Sequence, residues 1–124
     1  MAEPALRAAA GLADRQKSDE WPSLNLGAFL LDHGRAPEAT PILAKAVGRA
    51  GKSAICHEKL GRALEESGKA ADGVKELETA VKLDSNNPNI HFELGHAYRH
   101  TGEMEKARAE FAESQRLRRE RDGK

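Results

Sequence analysis

Sulfur and aromatic side chains are scarce in this sequence: its 124 residues include one Cys, two Met, one Trp, one Tyr and three Phe. Cys56 has no second cysteine to pair with, so the chain cannot carry the internal disulfides on which small secreted domains rely; a lone thiol on a small-residue face reads as packing. Long apolar runs are missing too. No stretch is long enough to span a bilayer, and the opening MAEPALRAAAGLADRQK lacks the uninterrupted apolar core of a secretory leader. The expectation is a soluble, cytoplasmic protein without a membrane partner. Excess charge of one sign is absent as well, since 20 basic and 20 acidic side chains leave a formal net charge of zero, and nucleic acid is therefore not an expected partner. Nor is there a nucleophile and base at a spacing that suggests a catalytic pair, so no enzyme and no cofactor are expected.

What the sequence has is a repeat. Leu-Gly recurs at Leu26-Gly27, Leu60-Gly61 and Leu94-Gly95, a step of 34 residues. Gly34, Gly68 and Gly102 keep that step, as do Leu30, Leu64 and Tyr98, then Ala39, Gly73 and Ala107, then Leu43, Leu77 and Phe111, then Ala46, Ala80 and Ser114. Within each period, apolar and small residues fall at helical spacing on either side of a turn glycine, which makes each period a helical hairpin. Small residues at Gly95, Ala107 and Ser114 let two antiparallel helices approach while Leu94, Tyr98 and Phe111 fill the space between them.

This pattern resembles the tetratricopeptide repeat family, which places Leu-Gly and an aromatic in the first helix of each hairpin and Ala, an aromatic and Ala in the second. The resemblance runs from Glu20 to about Arg121. Ser23, His57 and His91 stand where the family usually has Trp, and Gly51, Ser85 and Arg119 where it usually has Pro. Gly73 stands for the usual Ala and is expected to cost up to about 1 kcal/mol inside a helix. The implied fold is all-α, a right-handed superhelical stack of three hairpins over residues 20–53, 54–87 and 88–121, with a tail over 122–124. An Ala-rich extra helix is expected over about Pro4 to Gln16 within an N-terminal segment 1–19, and an extended last helix running into Arg118, Arg119 and Arg121. Pro41 is expected to shorten or distort the start of its helix. Leu117 is expected to leave an apolar edge, through which weak self-association of repeat ends is the second mode of action after partner binding.

The resemblance implies a noncatalytic module that binds a protein or peptide segment along its first helices. Turning about 100° per residue, positions 2, 5, 9, 12 and 13 of each repeat fall opposite the buried stripe. They yield the candidate groove: Trp21, Leu24 and Leu31 from the first repeat, Ile55, Glu58 and Arg62 from the second, and Phe92, His96, Arg99 and His100 from the third. Aromatic anchors beside arginine have the composition of binding hot spots, with Arg62 or Arg99 placed to hold an acidic group. For Trp21, packing beneath the N-terminal segment is an equal alternative. Some co-chaperone members of the family clamp a peptide's terminal carboxylate with Lys, Asn and Arg side chains. Leu24, Ala28, Lys59, Asn89 and Glu93 stand at those positions here, so that clamp is not expected.

Two chemical motifs remain. Ala46 to Ser53, AVGRAGKS, fits a relaxed phosphate-loop pattern, but no strand precedes it and its first half is helical, so it reads as the turn between repeats. His96 and His100 lie one helical turn apart with Glu93 nearby, a thin metal-ligand pattern that reads first as groove hydrogen bonding.

Overall fold

The computed structural model describes residues 21–123. Six helices follow one another among them: α1 (Trp21–Asp32), α2 (Ala36–Arg49), α3 (Ala54–Glu66), α4 (Ala70–Leu83), α5 (Pro88–His100) and α6 (Met104–Asp122). The helix expected over 4–16 and the rest of segment 1–19 lie outside the described residues.

The turn inside each hairpin is the same object three times. Gly34, Gly68 and Gly102 have φ of 72°, 86° and 84°, the left-handed region that a residue with a Cβ enters only at a cost. The amide after each glycine then reaches back into the helix: Arg35 to the Leu30 carbonyl at 2.8 Å, Lys69 to Leu64 at 2.8 Å and Glu103 to Tyr98 at 2.9 Å. Helix-end carbonyls are satisfied in this way by the backbone, and in the third hairpin the Tyr98 carbonyl also accepts from the Thr101 hydroxyl at 2.9 Å. Between hairpins the caps are polar: the Ser53 hydroxyl accepts from the Cys56 amide at 3.4 Å to open α3, and Asn87 Oδ1 accepts from the Asn89 amide at 3.0 Å to open α5.

Pro41 does not shorten its helix: α2 begins at Ala36 and runs through it. Both Pro41 and Pro37 are exposed, so the proline ring lies on the outer side of the helix, away from the core.

α1 packs on α2, α3 on α4 and α5 on α6, and each later hairpin packs on the one before through its first helix. First helices also touch one another, α1 with α3 and α3 with α5, whereas α2 and α4, or α4 and α6, do not meet. The stack therefore curves with its first helices on the inside.

Buried side chains form two clusters. One joins Leu26, Leu30, Ala39, Leu43 and Ala46 of the first hairpin to Cys56, Leu60 and Ala63 of α3. The other joins Val74 and Leu77 of α4 to Leu94, Ala97, Tyr98 and Ala107 of the third hairpin. Between them, α3 and α4 meet through backbone: a Cβ on Gly73 would stand 2.7 Å from the Gly61 carbonyl oxygen, and one on Gly61 would stand 3.0 Å from that of Gly73. Gly61 and Gly73 together permit the contact.

Leu117 does not form an apolar edge. It is buried at 7 % exposure because the long α6 folds back along the start of α5, where the Ser114 hydroxyl donates to the Pro88 carbonyl at 2.8 Å and Arg118 reaches Asn89 Oδ1 at 3.2 Å.

Candidate functional site

The inner face is not uniform along the stack. In the first repeat Leu24 and Leu31, expected in the groove, are buried at 3 % exposure each. They belong to the cluster containing Cys56, Leu60 and Ala63, because α1 lies directly against α3 and that contact covers the side of α1 that helical rotation alone assigns to solvent. The side chain of Trp21 lies outside the described residues, and Asp32 is exposed.

The second repeat supplies a charged centre. Arg62 donates through Nε to Glu66 at 2.8 Å and stands 3.9 Å from Asp32 of α1. Glu65, with 6 % of its side chain exposed, pairs with His100 of α5. Burial pushes the carboxyls of Glu58 and Glu93 above the ordinary glutamate range; for Glu93 the fields of Glu58, Glu65 and Glu66 add to that rise, and Arg62 opposes it. Arg62 is therefore occupied by the protein's own carboxylates and is not free to hold a partner's. Ile55, at the rim of this centre, is 43 % exposed.

The third repeat is open and aromatic. Phe92 is 40 % exposed. Its ring centroid lies 4.6 Å from that of His96 and 5.6 Å from that of Phe111, and His96 and Phe111 are 5.4 Å apart. Arg99 stands over Phe111 at 6.0 Å and Arg118 over Phe92 at 5.7 Å. These side chains line a cavity of about 420 Å³. Burial and the adjoining Arg99 lower the pKa of His96.

Sequence reasoning placed Phe92, His96 and Arg99 on this face but missed Phe111 and Arg118, which come from the second helix. The available signal was register: Arg118 follows Ala50 and Asp84 at the repeat step, and Arg99 follows Leu31 and Glu65. Both positions turn cationic only in the third repeat.

His96 and His100 do not share a ligand site. His96 Nδ1 lies 3.0 Å from Arg99 Nη2, while His100 turns to Glu65 of α3. Among the described residues, no three His, Cys, Asp or Glu side chains converge as metal ligands. The AVGRAGKS stretch is the end of α2, a turn and the cap of α3; Ala46 is fully buried and Ser53 is spent on capping. No described helix is long and apolar enough to cross a membrane.

His57 and His91, where Trp was the resemblance's usual residue, make matching bridges. His57 Nδ1 lies 2.7 Å from Glu76 Oε1 and its Nε2 2.8 Å from the Gly51 carbonyl; His91 lies 2.6 Å from Glu110 Oε1 and 2.7 Å from the Ser85 carbonyl. Each pins the turn before a hairpin to both helices within it.

Among solved structures, a double mutant of MamA from strain RS-1 is 24% identical with a TM-score of 0.82, the alignment covering 98% of this chain and 70% of that one. MamA 41-end from Desulfovibrio magneticus RS-1 is 24% identical with a TM-score of 0.80 over 96% of this chain and 70% of that one. The second repeat domain of Spaghetti (RPAP3), bound to the HSP90 peptide SRMEEVD, is 18% identical with a TM-score of 0.76 over 85% of this chain and 97% of that one. At such identities the likeness concerns the fold alone. No curated protein matches the chain in sequence. The tetratricopeptide repeat profile matches residues 58–121, just over half the chain. With a step of 34 residues in the sequence, the same turn three times over and first helices lining a concave face, the chain belongs to the tetratricopeptide repeat family, a family of protein-interaction modules.

Proposed function

We propose that the protein is a noncatalytic module that binds a peptide or protein segment in the concave groove of α1, α3 and α5, its three repeats spanning 20–53, 54–87 and 88–121. The observation that carries this reading is the exposure of two large apolar side chains on the inner face, Ile55 at 43 % and Phe92 at 40 %, which neither core cluster uses. Phe92, His96 and Arg99 form the anchoring end, and Ile55, Glu58, Arg62 and His100 the polar stretch leading to it. A partner's apolar side chain gains most by entering beside Phe92, where water is already partly excluded. The peptide bound to the RPAP3 domain is a precedent for this use of the fold. Leu24 and Leu31 have no part in it, being needed for the core.

The test is a photocrosslinking amino acid placed singly at Ile55 or His96, on the inner face, and at Lys106 or Glu113, on the second helix of the third hairpin. In extract of the source organism, the inner-face probes are expected to capture one common partner that the outer probes do not. Capture from Lys106 and Glu113 alone would move the interaction to the convex face and end this reading.

A further inference from the structure

The face formed by α5 and α6 has counterparts in the two earlier repeats, and there it is covered. α3 packs on α1 and α2, and α5 packs on α3 and α4; beneath them Leu43 and Leu77 are fully buried. Phe111 holds the same register in the third repeat and is only partly buried, on the wall of the cavity of about 420 Å³ with Phe92. Among the described residues no helix packs on this face.

Charge distinguishes the third face from the other two. Where α5 covers the second hairpin, Glu65 of α3 pairs with His100 of the arriving helix. The third repeat has Arg99 in the register of Glu65, so the sign of that meeting point is reversed. At the far edge Arg118 replaces Asp84, adding a second cation. Neither guanidinium is neutralised: Arg99 meets His96 and the Phe111 ring, Arg118 meets Asn89 and the Phe92 ring, and among the described residues no carboxylate pairs with either. By contrast Arg62 and Arg116 each hold glutamates.

We infer that the Phe92–Phe111 face receives an amphipathic helix of a partner protein, seated where the first helix of a further repeat would lie, with an apolar stripe on the two Phe rings and carboxylates at Arg99 and Arg118. This rests on the module reading above and names the partner's chemistry at one end of the groove. The site differs from the carboxylate clamp considered in the sequence, whose positions hold Leu24, Ala28, Lys59, Asn89 and Glu93. An apolar ridge over the rings excludes water from the two flanking ion pairs, which is where charge-assisted bonds gain strength.

The experiment uses the full chain and a synthetic helix-stapled peptide with a leucine stripe flanked by glutamates, against the same peptide with glutamine at each glutamate. Fluorescence anisotropy is expected to show about tenfold tighter binding of the glutamate peptide at low salt, with the difference shrinking as salt rises. Arg99→Gln combined with Arg118→Gln should remove the preference while leaving weak apolar binding, and Phe92→Ala should weaken both peptides. NMR signals of Phe92 and Phe111 should shift on titration while that of Ile55 stays. Equal binding of the two peptides, no binding of either, a preference retained in the double arginine variant, or occupation of the face by a second copy of the chain would each overturn the inference. Glutamate-dependent shifts confined to Ile55 would also overturn it while leaving the groove reading intact, whereas binding at Phe92 and Phe111 with no crosslinked partner on the inner face would do the reverse.

Discussion

Gly73 carries a prediction that helix propensity alone would get backwards. In an isolated helix Gly→Ala gains up to about 1 kcal/mol. Here the added methyl group meets the Gly61 carbonyl oxygen at 2.7 Å and the Glu65 amide nitrogen at 3.2 Å, and backbone atoms cannot step aside as a side chain can. Gly73→Ala should therefore destabilise by a net of about 1–3 kcal/mol, the usual scale of overpacking. Urea unfolding measures it, and a variant as stable as the parent would show that the α3–α4 contact is looser than drawn. At Gly95 the obstacle is the Phe111 ring at 2.7 Å, which borders the open cavity. Gly95→Ala is thus expected to cost less than Gly73→Ala, while Gly95→Leu, too large for the ring to yield to, should cost a few kcal/mol. The small-residue pattern made these contacts legible in the sequence. It did not show which partner atom each glycine faces, and that decides the sign.

At the scale of elements, the histidine bridges show what the sequence left illegible. The residue that stands for the usual Trp was readable from the repeat register, but its second-helix partners, Glu76 and Glu110, look like ordinary surface charges along the chain. Only packing of the hairpin brings them to His57 and His91. In the third repeat both ring nitrogens of His91 face acceptors, a carboxylate and a carbonyl, so the ring satisfies both only as the imidazolium. Burial alone would depress its pKa, but the hydrogen bonds to Glu110 and Ser85 and the fields of Glu110 and Glu113 outweigh burial and leave it raised. A folded pKa above the unfolded one means stabilisation that is complete below about pH 6.5 and lost as pH rises through the folded value. The melting temperature of the parent should therefore fall more than that of His91→Gln between about pH 6 and pH 9. Parallel curves for the two proteins would show that the bridge is not charged. The neighbouring turn between α2 and α3 makes a contrasting prediction. Lys52 is exposed there and Ser53 caps α3, so Lys52→Ala should leave melting unchanged with or without ATP, whereas Ser53→Ala should cost about 0.5–2 kcal/mol. A nucleotide-dependent rise in melting temperature abolished by Lys52→Ala would contradict this.

Across the whole molecule the two arginines that the sequence put forward as equals separate into different roles. Helical rotation placed Arg62 and Arg99 alike on the inner face, and it cannot see how neighbouring helices fill that face; the curvature of the stack brings Asp32, Glu66 and Glu93 from three first helices around Arg62, whereas among the described residues no carboxylate pairs with Arg99. Arg62 is the cation that lets α1, α3 and α5 converge with their carboxylates inward. Removing it leaves partly buried Glu93, whose pKa burial already raises, without its compensating charge, and leaves Glu58 with Lys59 alone. Arg62→Ala should destabilise by about 1–3 kcal/mol at neutral pH. For a carboxylate raised in the folded state the cost is borne while it is ionised and is relieved as pH falls through its folded pKa, so the deficit of Arg62→Ala should shrink on acidification below neutrality. Arg99→Ala should unfold like the parent at neutral pH and weaken partner binding by up to about 2 kcal/mol, as should Phe92→Ala, while Lys106→Ala and Glu113→Ala bind unchanged. Denaturation series across pH separate these outcomes: a deficit in Arg62→Ala that stays constant on acidification would mean the acidic centre is solvated rather than held by Arg62, and a comparable loss of stability in Arg99→Ala would make the third-repeat cation part of the scaffold instead of the binding face.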